Sequence, residues 1–148
     1  MGSLALPASG IIYLDSSSFI YSVEKVEPFS SLLDPLWLTA RSGDLQIQSS
    51  ELALLEVLVK PRRDKDTMLE SSFRSLLLSS REVHLVPITK VVLDLAVDLR
   101  ATTNIRIPDA IHAATALIGK CALLVTNDVV FRRVPGLQVT VLREVIAA

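Results

Sequence analysis

The stretch IIYLDSSSFIY, residues 11–21, sets a carboxylate, Asp15, between two apolar runs. Ile11, Ile12, Tyr13 and Leu14 are β-branched, aromatic or aliphatic, so GIIYLD reads as a short buried strand. The serines after it read as a turn into a helix running to about Val26. An aspartate at such a place needs a physical reason. Open sheets of parallel strands carry their functional groups just past the carboxyl ends of the strands, and Asp15 stands at that position.

Outward from this strand the chain alternates. A helix is predicted around residues 30–40, carrying Leu32, Leu33, Leu36 and Trp37 and ended by RSGD. LQIQ is a short alternating strand, and SSELALLEVLVK a helix with Ser50 as N-cap and Pro61 as its stop. RRDKD opens another helix to about Ser80, and VHLVPI is a third strand. From Ile88, apolar residues at 88, 91, 92, 95, 96 and 99 follow a 3.6-residue period. IPDAIHAATALIGK is a helix of small residues, opened by Pro108 and closed by Gly119. CALLVTND is a fourth strand, with Cys121 at its start, and LQVTVL a fifth. Strands separated by helices imply parallel crossovers and a sheet covered on both faces. The expected fold is an α/β three-layer sandwich, a mostly parallel central sheet of about five strands flanked by helices, in a single domain over residues 1–148.

Composition limits the function classes. Half the residues are hydrophobic and 21% charged, which argues against a disordered chain. With 15 basic and 16 acidic residues the net charge is −1, so any polyanion site must be a local patch. The single cysteine excludes an intrachain disulfide framework and fits a reducing compartment. No apolar run approaches the ~18 residues of a membrane span, and no basic segment precedes a long apolar one at the start. The expectation is a cytoplasmic protein without a membrane segment. Two histidines and one cysteine make a His/Cys zinc site a poor fit. Neither GxxxxGK[ST] nor GxGxxG occurs, so no nucleotide-cradling loop is indicated.

The acids are more informative. Asp128 ends the fourth strand as Asp15 ends the first, and Asp109 lies in the first turn of its helix, where its charge suits the helix dipole. SSELALLEVLVK offers two glutamates. Glu51 follows the N-cap, where a negative charge is favourable without any function. Glu56 is flanked by Leu52, Leu54, Leu55, Val57, Leu58 and Val59, and an i,i+4 pair with Lys60 is worth only ~0.2–0.5 kcal/mol. Glu56 is therefore the functional candidate. Asp94 and Asp98 form an i,i+4 stripe with Lys90 opposite the apolar face and read as solvated. Four carboxylates on one pocket would repel and raise one another's pKa. A divalent cation resolves this, and all-oxygen ligands favour Mg²⁺ or Mn²⁺.

YLDSSSFIY, SSELALLEVLV, IPDAIHAATAL and LLVTNDVVF, in that order, resemble a PIN-domain nuclease and most of all the VapC-type toxins of prokaryotic toxin–antitoxin pairs. The resemblance spans nearly the whole chain from Ile11. It implies a metal-dependent endoribonuclease whose catalytic and metal-binding acids are Asp15, Glu56, Asp109 and Asp128. Ser17 and Thr126 occupy the places of hydroxyls that support such sites. Some relatives carry a further acid three residues after the last, where this chain has Phe131, so a second metal site is not implied.

RNA would need cations. KPRRDK sets Lys60, Arg62, Arg63 and Lys65 after the Glu56 helix, Arg106 precedes Asp109, and Arg132 and Arg133 follow Asp128. His112 lies one turn from Asp109 and faces the same way, within reach of the pocket, but like His84 reads as structural. Two rival readings remain: a catalytically silent PIN-like protein-binding module, and an aspartate-based phosphotransfer domain using Asp15. A phosphatase of the latter kind would want an aspartate where Ser17 stands. Phe19, Ile20, Tyr21, Val26, Phe29, Leu32, Leu33, Leu36, Trp37 and Leu38 exceed what one sheet face readily covers. The expected partners are therefore a second copy in a homodimer and a cognate antitoxin, whose amphipathic segment would lie in a groove nearby.

Overall fold

A computed structural model describes residues 2–148. Five strands form one sheet: β1 (Gly10–Leu14), β2 (Leu45–Ser50), β3 (Val83–Val86), β4 (Leu123–Thr126) and β5 (Val139–Val141). Their order is β3-β2-β1-β4-β5, and every pairing is parallel. Among the described residues the sheet is thus wholly parallel, where the sequence had suggested mostly so.

Alternation along β1 divides the interior. Ile12 and Leu14 pack into a core with α1 (Ser16–Val23), α2 (Phe29–Ser42) and α3 (Leu52–Arg63). Tyr13 points the other way, into a second core beneath α5 (Lys90–Thr103) and α6 (Ile107–Ile118). Asp15 continues in extended backbone just beyond the strand. The chain adds β2 and β3 on one side of β1, then returns to add β4 and β5 on the other. The crevice between the ends of β1 and β4 is the switch point where such sheets bind ligands.

Several boundaries differ from the sequence reading, each for a local reason. The first helix ends at Val23 rather than Val26, because Lys25 takes a left-handed backbone conformation. Ser50 is the last residue of β2, although its Oγ still accepts a hydrogen bond from the Leu52 amide at 3.1 Å. Pro61 does not stop α3, which runs to Arg63. In the last turn the proline forfeits a single backbone bond, and its ring is buried. The following helix, α4 (Thr67–Arg74), starts at the Asp66 cap and passes into a π-helical turn over Ser75–Ser79. Cys121 precedes β4 rather than beginning it and is half-buried. A last helix, α7 (Leu142–Ala147), follows β5 directly and was not foreseen.

The apolar surplus expected on the first two helices is absent. Phe19, Leu32, Leu33, Leu36 and Trp37 are all buried within the chain, and of that group only Val26 and Leu38 are exposed. Trp37 also donates its indole N–H to Ser22 Oγ at 2.8 Å, which ties α2 to α1. Exposed apolar side chains lie elsewhere: Leu55 and Val59 on α3, Val91, Leu93 and Val97 on α5, and Ile107 at the start of α6. Lys90, Asp94 and Asp98 are solvent-exposed, as the helical period implied.

Candidate active site

Asp15 occupies the N-cap position of α1 but caps nothing with its side chain. Both its oxygens are engaged by hydroxyls instead. Ser17 Oγ donates to Oδ1 at 2.7 Å, and Thr126 Oγ1, from the end of β4, donates to Oδ2 at 2.6 Å. Thr126 is fully buried and its hydroxyl oxygen also accepts the Asp128 amide at 3.0 Å, so one threonine links the two strand ends.

The other acids arrive from three elements. Asp109, in the first turn of α6, is buried, and Arg106 Nε reaches its Oδ2 at 3.4 Å. Asp128 is exposed and its Oδ1 accepts the Val130 amide at 3.0 Å, capping a 3₁₀ turn over Val129–Arg133. Glu56, on α3, is half-buried rather than deep in an apolar environment, since its neighbours Leu55 and Val59 face solvent. Its Oε1 lies 2.6 Å from Nε2 of His112. Asp15, Glu56, Asp109 and Asp128 all line one cleft of about 500 Å³. Glu51 is exposed and does not line it.

The electrostatics record the gathering of charge. Burial pushes the Asp15 carboxyl above its ordinary range, opposed by the Thr126 and Ser17 hydrogen bonds and reinforced by Glu56. Burial also raises Asp109, with Arg106 opposing and the Asp128 charge adding to the rise. Both folded-state values lie above the unfolded ones, so these groups favour the folded state most at low pH. That contribution is lost as pH rises through the raised values. In chelator, Asp109→Asn is accordingly expected to flatten the decline of melting temperature as pH rises above the ordinary carboxylate range. An unchanged slope in a thermal-melt series would contradict the assignment of that charge to the cleft.

The donor set is carboxylate and hydroxyl oxygen, which suits a hard divalent cation that keeps several waters. Among the described residues, no three Asp, Glu, His or Cys side chains stand as a ready-made ligand group. The raised carboxyls nonetheless fit such an ion, because a cation would relieve the repulsion and desolvation that raise them.

Of the proposed RNA-contacting arginines, only Arg106 lines the cleft. Arg62 is held by Glu70 at 3.1 Å and Arg132 by Glu144 at 2.6 Å, while Arg63 is exposed away from the cleft. A different arginine stands at the cleft. Arg143, on α7, donates from Nη2 to the Asn127 backbone oxygen at 2.7 Å and from Nε to Asn127 Oδ1 at 3.2 Å. Asn127 in turn donates to the Tyr21 hydroxyl at 3.1 Å. The sequence offered no signal for Arg143, because its helix was not legible. His112 is buried, as expected of a structural residue, and it also faces the cleft, as its one-turn spacing from Asp109 had suggested. Phe131 is in the core.

The PIN domain family matches residues 12–137, and the chain belongs to that family. A comparison with curated protein sequences gives no match. Solved structures with the same fold include VapBC2 from Rickettsia felis bound to a DNA fragment from its promoter. That match has a TM-score of 0.69 at 20% identity and covers 88% of this chain and 97% of the other. VapC20 of Mycobacterium tuberculosis, a toxin that cleaves the sarcin–ricin loop, gives 0.63 at 15% identity, with coverages of 76% and 86%. FitAcB from Neisseria gonorrhoeae gives 0.59 at 20% identity, with coverages of 86% and 95%.

Proposed function

We propose that this chain is a metal-dependent endoribonuclease that hydrolyses RNA phosphodiester bonds and acts as the toxin of a type II toxin–antitoxin pair. The observation that carries the reading is the convergence of four acids, from β1, α3, α6 and the end of β4, on one cleft with Arg106 and Arg143 beside them. Membership of the PIN family and the likeness to toxin structures support it. The proposal takes residues 1–148 as one domain.

Asp15, Glu56, Asp109 and Asp128 would hold Mg²⁺ or Mn²⁺. When bound, such an ion neutralises the carboxylates and stabilises negative charge developing on a phosphodiester. Ser17 and Thr126 fix both oxygens of Asp15, so its orientation needs little reorganisation when substrate arrives. Glu56, half-buried at the cleft with its Oε1 bonded to His112, would accept a proton from an attacking water through its other oxygen. Arg106 and Arg143 would hold phosphate oxygens and set the register of the strand in the cleft. The chain, freed of any antitoxin, should cleave single-stranded RNA in Mg²⁺ or Mn²⁺ and not in chelator. Intact RNA after incubation at millimolar Mn²⁺ would overturn the reading in favour of a silent binding module.

The partners follow from exposed apolar surface. Leu93, Val97 and Ile107 line a groove of about 240 Å³ between α5 and α6, which would take a second copy. Leu54, Leu55, Leu58 and Val59 line one of about 340 Å³ flanked by Arg62 and Arg74, suited to an antitoxin's amphipathic helix. Val97→Asp is expected to convert a dimer to a monomer by light scattering at micromolar concentration. A wild type that is already a monodisperse monomer would remove the homodimer from the proposal.

A further inference from the structure

The histidine in the cleft is pinned at both ring nitrogens. Tyr13 is fully buried in the core beneath α5 and α6, and its hydroxyl lies 2.7 Å from His112 Nδ1. On the other side of the ring, Nε2 lies 2.6 Å from Glu56 Oε1. The rings meet edge to face, with centroids 5.8 Å apart and planes at 74°. His112 thus spans from the middle of the sheet to the mouth of the cleft, and only 2% of it is exposed.

The chemistry of the three groups fixes the order of the protons. An ionised carboxylate can only accept, so Nε2 must carry the proton that bonds Glu56. In a neutral ring this leaves Nδ1 as the acceptor, and the Tyr13 hydroxyl is the donor it receives. A buried phenol without a partner would be costly, and here its bond to Nδ1 fixes the ring orientation while the Glu56 carboxylate selects the tautomer.

We propose that His112 is a positioning residue: locked by the buried Tyr13 hydroxyl, it holds one oxygen of Glu56 so that the other is presented to the cleft. The proposal rests on the nuclease reading for its consequence but not for its geometry. An α3 carboxylate reached from α6 through a rigid ring cannot swing with the flexibility of a surface glutamate. A donor lost from the ring would release Glu56 into several rotamers, most of them unproductive.

Three variants and two readouts test it. In the wild type, ¹⁵N spectra of labelled histidine should give His112 as the Nε2–H tautomer, with a slowly exchanging Nε2 proton. Tyr13→Phe should shift the Nδ1 resonance and speed exchange of that proton. For RNA cleavage, His112→Leu should lower kcat about 100-fold with KM within about threefold of wild type. His112→Gln, whose amide N–H can reach the same carboxylate oxygen, should recover to within about tenfold of wild type. Both His112 variants should melt at similar temperatures, which removes stability as the explanation. An Nδ1–H tautomer, or equal kcat for the leucine and glutamine variants at equal folded fraction, would overturn the proposal. If the wild type cleaves no RNA, the nuclease reading fails. The spectra of the wild type and Tyr13→Phe then decide the positioning claim alone.

Discussion

Glu56→Gln is expected to reduce RNA cleavage by at least about 100-fold while leaving the melting temperature unchanged or slightly higher. The amide keeps the shape of the side chain, and its oxygen can still accept the His112 N–H, so the ring stays in place. What disappears is a negative charge that acts on Asp15 and could otherwise take up a proton or bind a cation. Glu51→Gln is the matched control, because Glu51 is exposed at the start of α3 and absent from the cleft. It should change stability by no more than a few tenths of a kcal/mol and leave cleavage intact. Cleavage lost with Glu51→Gln and kept with Glu56→Gln would reassign the functional glutamate.

The second large effect concerns the metal. A folded state holding two raised carboxyls in one cleft is destabilised by its own charges at neutral pH. An ion that binds the folded and not the unfolded chain stabilises by about 2.7 kcal/mol at 100 times its dissociation constant. For a domain of this size each kcal/mol is about 2–4 °C, so saturating Mn²⁺ should raise the melting temperature by about 5–10 °C. Asp15→Asn should lose most of that increment, because it removes the most deeply buried of the four acids. Calorimetry with no heat of binding at millimolar Mn²⁺, together with an unmoved melt, would count against the metal.

The sequence made the sheet legible because each strand was short, apolar and bounded by turn residues, and each interval was long enough for a helix. It made the acids at β1 and β4 legible because a strand end is a fixed place in such a fold. Glu56 could be separated from Glu51 by position in the helix, though its half-buried surroundings could not be foreseen. What escaped were features set by contacts between distant elements. Arg62 and Arg132 looked free in sequence but are held by Glu70 and Glu144, eight and twelve residues away. Arg143 looked unremarkable until α7 brought it against Asn127. The apolar residues of α1 and α2 were counted correctly, yet the count says nothing of how closely two helices and a sheet can pack around Trp37.

The hydrogen bond between Thr126 and Asp15 joins positions 111 residues apart, and Arg143 closes the cleft from the last helix. Long-range pairings of this kind form late, because loop closure must precede any reward from the contact. A chain emerging from the ribosome would therefore present Asp15 without Thr126, and later Glu56 without His112, until those distant partners have emerged. On the reading proposed above, a protein that cuts RNA is unarmed beside the message and ribosome that produce it. Its activity would begin only once β4 has emerged and paired with β1.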